Sequence, residues 1–393
     1  MAYDVSSWFI ERLSQPVITN AVRKFYVNSQ DLSDYVVQWP EVERKWDEVR
    51  AQTENIRLAA EDQTLNWLIN SALSIRAQAS VQWGLMTDSG TNELIDFLVG
   101  TLQSSRGSEG TITVSLVNKF KQLSERTIGT PSEPQEYINS SYLISDLAWY
   151  VVTSHGGYSA VQSNSNVDID YASYEAWKSL LDSDNVRAKS KIDGKKCTEL
   201  LGLIAKMTDS AIYEENGKIR FSRFTLAGSY SSIITTGNTL PSSVVRSDDK
   251  MINDFKVAAN YDVDNDEFAI TVNEVNSSSI NDYGRIEELH DDTLIWYVDS
   301  ISALNYAQRV INTYGDPELE ISVMTTMHGM VRQIGEMITY SDSLLGLDSD
   351  LYRIFEYKMN LEDGTVEFLI RPSALSSPFI LDVSILDGPD VLT

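Results

Sequence analysis

The residues of this chain that could do chemistry are few and scattered. The run Asp262-Val263-Asp264-Asn265-Asp266 sets oxygen ligands at alternate positions, as at the start of a calcium loop, where they can converge on one ion. The pattern breaks where such a loop is most demanding. Glu267 replaces the sharp-turn glycine and Asn273 stands where a bidentate glutamate is needed, so the run reads as a solvated hairpin turn between KVAANY and FAITVNE. Asp168 and Asp170, two apart in NVDIDY, could share a strand face as an acid–base pair, a role that also needs burial and a cleft. His155, His290 and His328 have no HxH or HxxxH neighbours, so a zinc site would need ligands from three distant segments. His155, just before Gly156-Gly157, reads as a helix C-terminal residue facing free carbonyls. Cys197 falls in the helical pattern Cys197, Leu200, Leu201, Ile204 and reads as a small buried hydrophobe; as the single cysteine it excludes an intrachain disulfide. GxSxG, GxGxxG and GxxxxGK[ST] are absent. The reading is therefore not an enzyme, with no catalytic, cofactor-binding or metal-binding residue assigned.

Composition narrows the class further. A chain of 393 residues, 42% hydrophobic, can bury a sizeable core, and its length suits two to four domains. The 31 Lys+Arg against 57 Asp+Glu give a net charge of −26, which argues against a surface that grips nucleic-acid phosphate. The opening MAYDVSSWFIERLSQP lacks a basic start, and nowhere do about 18 consecutive apolar residues occur. The expectation is neither Sec export nor a membrane-spanning segment.

The elements that must position these residues are clearest around residues 302 to 342. Ile301, Leu304, Ala307, Ile311 and Tyr314 fall at three- and four-residue steps and predict a helix capped by Ser300. Gly315 and Pro317 predict its end, the glycine by accepting a left-handed cap. From Leu319 the period becomes two, with Leu319, Ile321, Val323, Thr325 and Met327 on one side and Glu318, Glu320, Ser322 and Thr326 on the other. That second face must look to a lumen, a neighbour or solvent.

Elsewhere, residues 3 to 13 predict a short amphipathic helix with Trp8, Phe9 and Leu13, broken at Pro16, which docks on a neighbour or covers a core edge. Strand-like runs follow: AVRKFYVNS, SDYVVQWPEVER and ENIRLAA, then a helix-compatible EDQTLNWLINSA, then LSIRAQASVQWGLM, ELIDFLVGTLQ and GTITVSLV. Turn formers in TIGTPSEPQEYINSS mark a boundary. The middle holds a helix through Leu143, Ile144, Leu147 and Val151, a second from about Lys195 to Met207, and a hairpin at Asn216-Gly217. Strands return from MINDFKVAANY, and a final hairpin turns at Asp363-Gly364. The order strands, helix, strands thus occurs twice, in roughly 22 to 117 and 252 to 371.

Three stretches together give a family resemblance. DLSDYVVQWPEVERKWDEVRAQTENIRLAAED resembles the opening strands of tailed-bacteriophage baseplate or tail hub proteins, and DLAWYVVTSHGG through GKIRFSRF is similar to their middle domain. SALNYAQRVINTYG through RQIGEMITY resembles their second tube-like domain, with its helix, β-arm and Ile-Gly-Glu-Met-Ile element. The resemblance implies an α+β chain with two mostly antiparallel, barrel-like β domains flanking a mixed middle domain. Its boundaries are an N-terminal arm 1–21, a first tube-like β domain 22–128, a middle α+β domain 129–245, a second tube-like domain 246–374 and a C-terminal extension 375–393.

It further implies a structural hub: a homotrimer forming a pseudo-sixfold ring that joins the tail tube to the tail-tip or spike complex and lets DNA pass without specific binding. Partners would be the tail tube or distal tail protein, central spike or tail-tip proteins and the tape measure protein. The location would be the virion tail tip or baseplate, with assembly in the host cytoplasm. No lysozyme-like or peptidase-like stretch is seen, so wall degradation is expected in a partner. No cofactor is expected. An acidic channel wall, with Glu318 and Glu320 as its test residues, would suit passing phosphate. Two other readings stand beside it: a receptor- or carbohydrate-binding tail-tip adhesin using the eight tryptophans for stacking, and a carboxylate-pair glycoside hydrolase.

Overall fold

The structure, a computed structural model, describes residues 6–13, 20–46, 49, 52–60, 63–71, 74, 76–223, 233–235, 239–342 and 347–372. The expected extension 375–393 lies outside them. The first part comprises α1 (Ser7–Leu13), β1 (Ala21–Val27), β2 (Gln30–Asp31), β3 (Val36–Gln38), β4 (Glu41–Lys45), β5 (Thr53–Ala59), α2 (Trp67–Asn70), β6 (Gln78–Met86), β7 (Asn92–Ser108) and β8 (Thr111–Val117). The middle comprises α3 (Phe120–Glu125), β9 (Thr127–Ile128), β10 (Gln135–Leu143), α4 (Ile144–Tyr150), α5 (Tyr171–Ser183), β11 (Arg187–Ile192), β12 (Lys195–Lys196), α6 (Cys197–Thr208), β13 (Ser210–Glu215) and β14 (Lys218–Arg223). The last part comprises β15 (Ile233–Thr235), β16 (Thr239–Ser247), β17 (Asp254–Asp262), β18 (Glu267–Val275), α7 (Ser277–Tyr283), β19 (Glu287–His290), β20 (Ile295–Tyr297), α8 (Ser300–Tyr314), β21 (Glu318–Thr326), β22 (Met337–Asp342), β23 (Leu347–Asn360) and β24 (Thr365–Pro372). The fold is mixed α+β with several sheets built mainly from antiparallel pairs.

Two seven-stranded sheets dominate. Sheet one runs β2-β1-β6-β7-β8-β5-β3; sheet two runs β15-β22-β23-β24-β21-β16, with β4 paired to β23 as its seventh strand. Both contain one antiparallel run of four, β5-β8-β7-β6 and β21-β24-β23-β22, in which three consecutive strands form a meander. The long central strand bulges against its later neighbour in each. Register shifts between Leu102 and Ser104 in β7, and between Ile354 and Glu356 in β23. Such bulges bend a strand and increase its twist.

Turn chemistry fixes the hairpins where the sequence predicts them. Asn216 and Gly217 both take positive φ, 51° and 70°, in the two-residue connection of β13 and β14, as a right-handed-twist hairpin requires. Gly364 (φ 66°) closes the β23–β24 turn, where Asp363 N donates to Asn360 Oδ1 at 3.0 Å.

Helix α8 forms as expected but turned about its axis. Its cap is Asp299, which accepts from Ser302 N at 2.8 Å, rather than Ser300. The buried stripe is Ala303, Tyr306, Ala307, Val310 and Ile311, and Ile301 is 71% exposed. Gly315 is right-handed (φ −68°) instead of a left-handed cap. It is needed for a close approach, since a Cβ there would lie 2.3 Å from the Ile311 carbonyl oxygen. The expected helix in EDQTLNWLINSA shortens to a 3-10 turn, Gln63–Leu65, and α2.

Two apolar cores organise these elements. The first gathers the inner faces of both large sheets, Phe25, Val81 and Leu116 from one with Ile321, Ile354 and Phe368 from the other. Helix α1 covers its margin with Phe9 and Leu13, Phe9 meeting Trp83 edge-on at 6.2 Å. The second core joins α4, α5 and α6 to β17, β20 and α8, so the segment expected as 246–374 contributes to both cores.

Candidate functional site

The structure does not bring the candidate catalytic groups together. Asp168 accepts from Lys119 Nζ at 2.6 Å and from Ser159 N at 3.0 Å. Burial pushes its carboxyl up, but Lys119 and the Ser159 amide outweigh that and hold it below its ordinary value. Asp170 instead caps α5, accepting from Ser173 N at 3.2 Å. Asp262 accepts from Asn265 Nδ2 at 2.8 Å and Asp264 N at 2.9 Å, the inward-turned geometry of a hairpin tip.

The three histidines sit on separate elements. His155 ends the π-helical turn after α4 and bonds the Tyr137 hydroxyl at 2.7 Å through Nε2, where a contact with free carbonyls is expected. His290 stacks edge-on against Tyr306 at 5.2 Å, and His328 Nδ1 meets Thr326 Oγ1 at 3.0 Å. Cys197 is buried, and burial pushes its thiol up to about 11, away from reactivity. Among the described residues no group of three or more His, Cys, Asp or Glu side chains could hold a metal ion, and no helix is long and apolar enough to cross a membrane.

What the structure does assemble is a charged junction between the two sheets and the middle helices. Arg353 of β23 makes a bidentate pair with Asp209 at the end of α6 (2.9 and 3.1 Å) and lies 3.7 Å over the Trp46 ring. Trp46 Nε1 donates to the same carboxylate at 3.1 Å. Burial pushes Asp209 up, and Arg353 more than offsets this, holding it low. Gly335 makes the fit possible: its φ is 79°, and a Cβ would lie 1.9 Å from Trp46 Cζ3. The Ile-Gly-Glu-Met-Ile element is therefore a socket for Trp46, with Ile334 in a small cluster with Trp46, Ala211, Tyr213 and Phe355.

The hairpin β13–β14 wedges between the sheets. On one side Glu215, with a side chain 1% exposed, holds Arg44 of β4 at 3.5 Å, pairs with Arg220 and accepts from Gln333 at 3.2 Å. On the other, Glu214 accepts from Lys119 N at 2.5 Å, and Gly217 abuts Val99 of β7, whose Cγ1 would be 2.8 Å from a Cβ. Burial pushes the Glu214 carboxyl up to about 7, only partly opposed by the Lys119 amide.

Glu318 and Glu320 are not bare charges. Arg371 contacts Glu318 at 2.5 Å and Glu320 at 2.7 Å, and Lys250 lies 3.8 and 3.5 Å from them. Charge excess at these positions is internally compensated. The neighbouring edge is different: among the described residues β16 pairs only with β21, and its adjacent Val244 and Val245 are 36% and 52% exposed. Successive strand residues point to opposite faces, so both faces of this edge carry exposed apolar surface. Reading Arg44, Arg353 and Arg371 as solvent-facing strand residues would miss the junction; Gly335, a glycine just ahead of a strand, is the one local sign of close packing.

No protein-family model matches the sequence, and no curated protein matches it. Solved structures do match in fold. The tail protein from Neisseria meningitidis MC58 aligns over 90% of this chain and 97% of its own, with TM-score 0.59 and 11% identity. The 43 kDa tail protein of prophage MuSo2 from Shewanella oneidensis covers 91% and 99%, with TM-score 0.55 and 14% identity. Prophage tail protein gp18 from Listeria monocytogenes EGD-e covers 91% and 95%, with TM-score 0.51 and 10% identity. The chain has the fold of prophage tail proteins.

Proposed function

We propose that this chain is a structural hub of a bacteriophage or phage-derived tail, three copies forming a pseudo-sixfold ring between the tail tube and the tail-tip or spike complex. The observation that carries the reading is the shared four-strand run of sheets one and two. A chain that holds two sheets of one design can place six similar sheets in a ring with three copies, which matches threefold to sixfold parts of a tail. The charged junction then keeps the two sheets at a fixed angle, and the open β16 edge supplies strand pairing to a neighbour. DNA crosses such a ring without specific binding, in keeping with the net charge of −26. Distal tail, spike and tape measure proteins are its neighbours in this reading, and the virion tail tip its place.

The adhesin reading loses its motive. Five tryptophans are buried, and Trp8, Trp39 and Trp67 pack partly buried against the first core, so no tryptophan ring stands fully exposed for stacking. The glycoside hydrolase reading loses its carboxylate pair to Lys119 and the α5 cap. Velocity sedimentation of the full chain at micromolar concentration, alone and with a tail-tube protein, tests the ring. Species in multiples of three support it; a closed ring of six chains overturns it.

A further inference from the structure

A cleft of about 880 Å³ opens between α6, α8 and β19, within the size range of ligand sites. Its walls are apolar at Leu203, Phe255, Tyr306 and Val310. Tyr306 is 1% exposed, yet among the described residues its hydroxyl has no hydrogen-bond partner, and neither has the buried Nε of Arg309 beside it. Buried polar atoms left in this state cost free energy that a bound group could return. Burial also pushes the Tyr306 hydroxyl well above its ordinary range, so it stays a donor at neutral pH.

One wall is an edge strand. β19 pairs with β17 and with no other strand among the described residues. The carbonyl of Ile286 accepts from Asn253 N and Asp254 N on the β17 side. By alternation, the peptide groups of Glu287 and Leu289 face the open edge. Glu287 lines the cleft and Leu289 is 48% exposed.

The rim is acidic. Glu199, Asp249, Glu288 and Asp292 line it without a cationic partner among the described residues, against Lys206, Lys250 and Arg309, of which Lys250 also lies beside Glu318 and Glu320. We propose that this cleft captures an extended, basic segment of another protein, which adds a strand to β19, seats an apolar side chain against Tyr306 and offers a backbone carbonyl to Tyr306 and Arg309. The charge argues against this chain as its own occupant. Residues 375–393 carry Asp382, Asp387 and Asp390 and no Lys or Arg, and a second copy brings a further net charge of −26. The inference does not depend on the ring, and its failure leaves ring stoichiometry unaffected.

Gly202 gives a clean test. It lies on the cleft wall within α6, and a Cβ there would meet nothing within 4 Å among the described residues. Gly202→Leu therefore plugs the cleft while improving helix propensity. Fluorescence anisotropy would follow labelled alternating nonapeptides, valine and leucine interleaved with lysine, and matched peptides with glutamate for lysine, on the full chain. The lysine set should bind saturably and the glutamate set at least about tenfold more weakly. Gly202→Leu should weaken the lysine set at least about tenfold with an unchanged Tm, and Tyr306→Phe by several-fold. Three results would overturn the proposal: no saturable binding of the lysine set, equal binding of both sets, or binding indifferent to Gly202→Leu. Tighter peptide binding after truncation at Pro372 would assign the cleft to the chain's own C-terminal segment. Loss of self-association in Gly202→Leu would assign it to a second copy. Either also overturns it.

Discussion

Sheets one and two carry the same four-strand run but differ in where the preceding strand attaches. β1 joins sheet one beside β6, whereas β16 joins sheet two beside β21, at the opposite end of the run. If each sheet curls far enough for its ends to meet, β1 and β16 fill one seam from opposite sides. The same design can thus close from either end, and what distinguishes the copies is the support around them. Sheet one is finished by the short strands β2 and β3. Sheet two receives β4 from the first part of the chain, the Arg353–Asp209 pair and the Trp46 socket, and keeps β16, nine residues long, as an edge with no second partner among the described residues. Both sheets share the first core, and sheet two carries the more ties to distant parts of the chain.

Four tests break or sharpen this comparison. Arg353→Leu leaves the Asp209 carboxylate without its cation and the Trp46 ring without the guanidinium over its face at the sheet-two junction, and should cost about 3 kcal/mol or more in urea unfolding. A loss under about 0.5 kcal/mol would show that charge does not hold sheet two.

The glycines separate the two sheets next. Gly335→Ala and Gly84→Ala each place a Cβ 1.9 Å from another atom, Trp46 Cζ3 and the Glu93 carbonyl oxygen respectively. Both should destabilise by about 2–3 kcal/mol. Only the first should be relieved in a double mutant, by Trp46→Leu, and only in part, because its obstacle is a side chain while its φ of 79° still strains alanine; the obstacle of Gly84 is backbone. Equal relief of both, or of neither, would contradict the socket.

A smaller effect is pH-dependent. The folded-state value of Glu214, about 7, lies above its ordinary 4.5, so ionising it costs stability as pH rises across that interval. Glu214→Gln, neutral throughout, should therefore raise Tm relative to the parent at pH 8 and leave it nearly unchanged at pH 5. A larger gain at pH 5 would reverse the sign. Smallest for stability is Val245→Lys on the β16 edge, within about 0.5 kcal/mol. It should nonetheless prevent assembly, as read by sedimentation; normal assembly would remove β16 from the interface.

Local signals were legible because their causes are local. Asn216-Gly217 names its own turn, Cys197 to Ile204 show a helix face, and the period-two stretch after Leu319 buries Ile321, Val323 and Thr325 as its alternation requires. The phase of α8 was less legible, since the sheet it packs against decides whether Ile301 or Tyr306 turns inward. Long-range pairing left no mark at all. β4 and β23 lie some 300 residues apart, and nothing in EVERK says that its partner is residues 356–360. Charged strand residues were misleading for the same reason: Arg44, Glu318 and Arg371 alternate like a wet face, but each is buried against a partner from a distant strand or hairpin.

Single-particle electron microscopy of the assembled ring tests the central claim most directly. The account predicts three copies around a threefold axis, sheets one and two alternating at six similar positions about the channel, and β16 paired with a strand of the adjacent copy. Six chains about a true sixfold axis, or a ring in which one of the two sheets stands away from the channel, would contradict it.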